Sequence, residues 1–177
     1  MKKTIINIVL IITAIIIYYL QSNFFGWFNI AGIKPNLFVV LALFIGLFAN
    51  RTMGTVYGIV IGLAIDFLIG TKIGIYSVAL GLIGFLAAIF DKNFSKDSRI
   101  TIILMVSGAT IIFEVLIYIL NYIISGINLE VLNFIIILTI EVIYNIILTI
   151  ILYPLFQKYG YYIEDEYKGN KILTRYF

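Results

Sequence analysis

The sequence predicts an all-α integral membrane protein of six transmembrane helices with both ends in the cytoplasm. Three observations predict it. Of the 177 residues, 63% are hydrophobic and only 12% are charged, and mean hydropathy is +1.12. Soluble domains sit nearer half apolar and a quarter charged. Apolar runs without lysine or arginine recur at lengths suited to a bilayer core, which takes roughly 17–25 helical residues. All 12 lysines and arginines fall between those runs, strongly biased to one side.

The first run is Thr4–Leu20, preceded by Lys2 and Lys3. The pattern is similar to a secretory signal. However, no small-x-small cleavage site lies near Tyr18–Gln21 and further runs follow, so an uncleaved signal anchor is expected. The external loop Gln21–Lys34 carries Phe24, Phe25, Trp27 and Phe28, aromatic side chains suited to the headgroup level. The second run, Asn36–Ala49, is short and is expected to borrow length from Phe24–Ile33. Met53–Ile69 and Ile73–Phe90 follow across tight connections, which predicts two consecutive antiparallel hairpins. Ile100–Ile124 and Leu132–Phe156 complete the set. Isoleucine is abundant, but the runs are too long for barrel strands and do not alternate. Residues 1–156 thus read as one transmembrane domain and 157–177 as a short cytoplasmic tail. There the acidic run Glu164–Glu166, set beside lysines, reads as a solvated face.

With the N-terminus inside, the cytoplasmic segments hold Lys2, Lys3, Arg51, Lys92, Lys96, Arg99, Lys158, Lys168, Lys171 and Arg175. The external segments hold Lys34 and Lys72. Ten against two sets the orientation, because positive charge collects on the cytoplasmic side.

Cysteine and histidine are both absent. That removes disulfides, thiolate metal sites, and the usual acid-base group near neutral pH. No phosphate-binding glycine loop, zinc-protease helix or serine-nucleophile elbow occurs. The sequence therefore offers no catalytic, metal-binding or cofactor-binding residues, and an enzyme is not expected.

Three carboxylates lie inside the runs: Asp66, Glu114 and Glu141. Charged side chains at membrane depth are costly and usually face a bundle interior or cavity. Ser107, Thr110, Glu114, Tyr118 and Asn121 recur at spacings of three and four, a polar stripe on one helix face. Glu141, Asn145 and Thr149 form a second stripe. Two facing stripes can satisfy each other by hydrogen bonds between helices. A proton or cation pathway is the alternative, but acids with neither histidine nor a buried cation make an incomplete relay. Gly54, Gly58 and Gly62 make a double G-x-x-x-G ahead of Asp66. Gly74, Ser77, Gly81 and Gly84 line the next run. Small residues at this spacing let backbones approach, which favours packing of these two helices and leaves a homo-oligomer face open.

Several of these pieces also resemble one family. Ile33-Lys34-Pro35-Asn36-Leu37 opens a helix in the style x-x-P-[DN]-L. Asn50-Arg51 makes a short turn before the glycine-spaced helix ending in Asp66, and Gly70–Gly74 makes a Gly-x-x-x-Gly turn. Glu141-Val-Ile-Tyr-Asn145 with Tyr153-Pro154 is similar to a closing signature E-x-x-[YF]-N…[YF]-P. In this order the motifs resemble the rod shape-determining MreD family over roughly residues 1–160. The resemblance implies a multispanning protein of the bacterial cytoplasmic (inner) membrane, folded like the S components of energy-coupling-factor transporters. It implies a non-enzymatic scaffold or regulator of lateral peptidoglycan synthesis and cell shape. Implied partners are a single-span MreC-like protein, an MreB-type actin homologue and the wall-synthesis polymerase and transpeptidase, with no nucleic acid. It singles out Pro35, Asn36, Asp66, Gly74, Glu141, Asn145 and Pro154; Asn36 stands where aspartate is common. The rival is an S-component-like subunit binding a small solute. Such subunits commonly dock through an Ala-x-x-x-Ala pattern in the first helix, where this chain has Ala14 flanked at four residues by Leu10 and Tyr18.

Overall fold

The computed structural model describes residues 2–69, 72–93, 96, 98–126 and 130–169. Gly70, Lys171 and Arg175 lie outside the described residues. Six principal helices account for the fold, and no strand occurs among the described residues. They are α1 (Lys2–Tyr19), α2 (Leu37–Phe48), α3 (Arg51–Ile69), α4 (Ile75–Asn93), α5 (Arg99–Ser125) and α6 (Val131–Lys168). A π-helical turn, Leu20–Phe24, and three helical residues, Phe25–Trp27, prolong α1.

Helix α2 is the centre of the molecule. All 12 of its residues are buried, and α1, α3, α4, α5 and α6 pack around it. At 1.5 Å per residue it is about 18 Å long, well short of a bilayer core of about 30 Å. The expected borrowing from Phe24–Ile33 does not occur. Phe24–Trp27 belong to the end of α1, and the chain then turns back on itself through the Ile30–Ile33 bridge. Here Ala31 and Gly32 have left-handed φ of 52° and 81°. An apolar helix of this length reads better as a core helix than as a lipid-facing span.

Among the described residues, four helices are long and apolar enough to cross a membrane: Lys2–Trp27, Arg51–Ile69, Arg99–Ile124 and Val131–Lys168. The apolar part of α4, Ile75–Asp91, is shorter. Helix α6 does not stop near Phe156 but carries on through the polar segment to Lys168. Its 38 residues span about 57 Å, so one end must project beyond a bilayer core.

The α3–α4 pair is the closest in the fold, and glycine makes it so. A Cβ on Gly58 would lie 2.3 Å from the Leu80 carbonyl, and one on Gly62 would lie 2.4 Å from the Ser77 Cα. Gly54 meets both α2 and α4: its Cβ would come within 2.6 Å of the Gly46 Cα and of the Gly84 oxygen. Any side chain at these positions forces backbones apart. Asn50 starts α3, its Oδ1 accepting the Met53 N–H at 2.8 Å.

Substituting Gly54→Val should therefore abolish or sharply lower the yield of folded protein, because backbone and not a flexible side chain blocks the space. Gly108→Ala, where nothing lies within 4 Å, should raise stability by up to about 1 kcal/mol through the lower helical cost of alanine. Thermal unfolding in detergent separates the two.

Candidate interaction site: the two polar ends of the buried helix

The backbone groups at the ends of any helix lack partners within it. Helix α2 ends inside the protein, so other helices must supply them.

At its N-terminal end, Pro35 is buried and Asn36 sits as the cap. The Asn36 Oδ1 accepts the Val39 N–H at 3.4 Å, and the Asn36 N–H donates to the Asn145 Oδ1 at 2.8 Å. The Asn145 amide in turn donates to the Thr110 Oγ1 at 2.9 Å. Both stripes read from the sequence therefore meet here, Thr110 from α5 and Asn145 from α6, each wholly buried. One turn away along each helix, Glu114 and Glu141 face one another and Glu141 reaches toward Asn36. Glu141 is 6% exposed, and its Oε1 has no hydrogen-bond partner among the described residues. Tyr76 of α4 stands within electrostatic reach of both acids and of Asp66.

Asp66 performs a similar service for α4. Its Oδ2 accepts the N–H of Gly74 at 2.8 Å and of Ser77 at 3.3 Å, and its Oδ1 accepts the N–H of Tyr76 at 3.1 Å. This is why the acid tolerates 1% exposure: the first N–H groups of α4 replace water. Gly74 has φ of +107°, a conformation open to glycine and strained for other residues. Asp66 is thus held on the α3–α4 side as a helix cap. Pro154 lies exposed on α6, away from this cluster. Of the residues singled out in the sequence, Pro35, Asn36, Glu114, Glu141 and Asn145 converge on one end of α2. Gly54, Gly58, Gly62, Asp66 and Gly74 form the α3–α4 seam.

The C-terminal end of α2 was not anticipated. The Leu47 carbonyl accepts from Lys96 at 3.5 Å and also from Lys168. Lys96 pairs with Asp91 at 2.7 Å and Glu164 at 2.6 Å; Lys168 pairs with Asp91 at 2.6 Å and Glu164 at 3.6 Å. Two cations and two carboxylates make a neutral square over the negative end of the helix dipole. Lys96 also lies 4.9 Å from the Phe48 ring centre. Gly160 of α6 lets Phe48 approach, its Cβ position falling 2.6 Å from that ring. The acidic run read as solvated is therefore engaged: Glu164 belongs to the square, and Glu166 pairs with Lys2 at 3.1 Å. Burial opposes ionisation of Asp91, yet the hydrogen bonds from Lys168 and Lys96 outweigh it and hold its carboxyl below the ordinary 3.8. The same burial, with the neighbouring Lys96 charge, holds the Lys168 ammonium below its usual range despite Asp91 and Glu164.

Chemically the inner acid pair brings two carboxyl groups face to face in the interior. Among the described residues no group of three or more metal-binding side chains comes together. The polar side chains chiefly bind one another and the ends of helices.

A family model described as the rod shape-determining protein MreD matches residues 1–163. No curated protein and no solved structure matches.

Two outcomes follow from this geometry. Asn145→Ala should cost about 1–3 kcal/mol by stranding the buried Asn36 N–H, read as a lower unfolding temperature in detergent; the Thr110 hydroxyl keeps its bond to the Val106 carbonyl at 2.9 Å. Asp91→Asn should cost on the order of 3 kcal/mol near neutral pH, because two lysines then share one carboxylate. With a native value below 3.8, the Asp91 contribution is complete above the unfolded value. It is lost as pH falls through the native one. The unfolding temperatures of wild type and Asp91→Asn should accordingly converge on acidification, in a pH series.

Proposed function

The chain belongs to the MreD family of rod shape-determining proteins, and on that premise we propose that it is a non-enzymatic scaffold of cell-wall elongation. Membership places it among membrane proteins of shape determination. The scaffold reading adds that it works through helix faces within the bilayer. One observation carries that addition. Asn36, Asp66, Thr110 and Asn145 inside are taken up by helix ends and by one another, while the outward faces of α1, α3, α5 and α6 are large apolar side chains. A surface of this kind associates by shape and close packing.

Six crossings with both ends in the cytoplasm, in the inner membrane, remain our reading of the topology. The charge bias supports it. So does the meeting of the start of α1 with the end of α6, where the Tyr167 hydroxyl donates to the Asn7 Oδ1 at 2.5 Å and Lys2 pairs with Glu166. Helix α2 then runs as a short strut inside the protein. The partners we propose are a single-span MreC-like protein, an MreB-type actin homologue and the wall polymerase and transpeptidase. The solute-binding alternative gains no support from the comparisons.

Depletion of the protein in its rod-shaped host should round or swell the cells, scored by microscopy as a fall in length-to-width ratio. Rods of normal shape after complete loss would overturn the scaffold reading.

A further inference from the structure

Helix α1 is lightly held: Ile6 and Leu10 are its buried residues. Beside them, between α1, α2 and α6, runs an apolar groove of about 720 Å³, within the usual range of ligand pockets. Ile5, Val9, Leu41, Phe44 and Leu155 line it. Lys158 stands on its wall with Tyr159 and Tyr162, and both tyrosines are half exposed. Neighbouring cations are engaged: Lys2 with Glu166, Lys96 and Lys168 with Asp91 and Glu164, Lys3 and Arg99 over tyrosine rings. No carboxylate among the described residues pairs with Lys158.

A lone cation beside a long apolar groove matches a ligand with one anionic group and a hydrocarbon chain. We propose that this groove binds an anionic phospholipid, its acyl chain lying along α1 and its phosphate on Lys158. Basic positions between helices at the cytoplasmic face recognise lipid headgroups in this way, and the two tyrosine hydroxyls are donors for the same oxygens. A neutral partner helix would fill the groove but leave the charge unmatched. A zwitterionic lipid brings its own cation to a site that already has one. The inference rests on the membrane placement of α1 and α6 and is independent of the scaffold role.

The test is native mass spectrometry of the purified full chain in detergent, titrated with phosphatidylglycerol or with phosphatidylcholine of matched chains. Wild type should retain phosphatidylglycerol in preference. Lys158→Gln should lower that preference about fivefold, the factor expected of one lysine at an anionic headgroup, and Lys158→Arg should keep it. Val9→Trp, which fills the groove, should reduce retention of both lipids. Lys34→Gln, at the opposite end of α2, should change nothing. Equal retention of the two lipids by wild type overturns the proposal. So does a preference that survives Lys158→Gln, or retention of both lipids undiminished by Val9→Trp. Lys158 is exposed, so its replacement leaves the fold intact. A failed depletion phenotype would leave these binding outcomes unaffected.

Discussion

A helix of 12 buried residues whose ends stop inside the protein sets the terms for everything around it. Backbone groups that lipid cannot satisfy must be satisfied internally. At one end this requirement selects Asn36, Asn145 and Thr110. At the other it selects two lysines and the carboxylates that neutralise them. The flanking helices are positioned by these demands as much as by apolar packing: α5 and α6 must present their polar stripes at one level, and α6 must run on far enough to bring Glu164 and Lys168 under α2. The continuation of α6 beyond the apolar run is thereby explained.

The glycine seam answers a second demand of the same helix. Three of the helices come together at one level, and glycine lets them. Gly46, Gly54 and Gly84 meet where α2, α3 and α4 come together, and backbone fills the space that side chains would occupy. Close approach places the start of α4 beside Asp66, so a carboxylate can cap a neighbouring helix from within α3. Packing and polar satisfaction here are one arrangement.

Much of this was legible in the sequence where the signal was periodic. Spacings of three and four marked Thr110 with Glu114 and Glu141 with Asn145, and small-residue spacing marked Gly54 to Gly62. The family motif at Asn36 gains a physical reason, since asparagine and aspartate are both good helix caps. That accounts for a position that does not need charge. The role of α2 was less legible: a uniformly apolar run looks the same whether lipid or protein surrounds it. The charged square was not legible at all. Lys96 reaches Glu164 across 68 residues and Lys168 reaches Asp91 across 77, and no local pattern encodes such pairs. Gly46 and Gly160 escaped notice because each meets its partner alone and not in a repeat.

The shortness of α2 also bears on how the chain is made. It precedes α4, α5 and α6 in the chain, which enclose it and supply both its ends. A segment of about 18 Å with bare ends has no stable resting place in lipid by itself. Both its ends are therefore satisfied only once α6 is in place. The central helix of the fold is thus the part that depends most on the end of the chain.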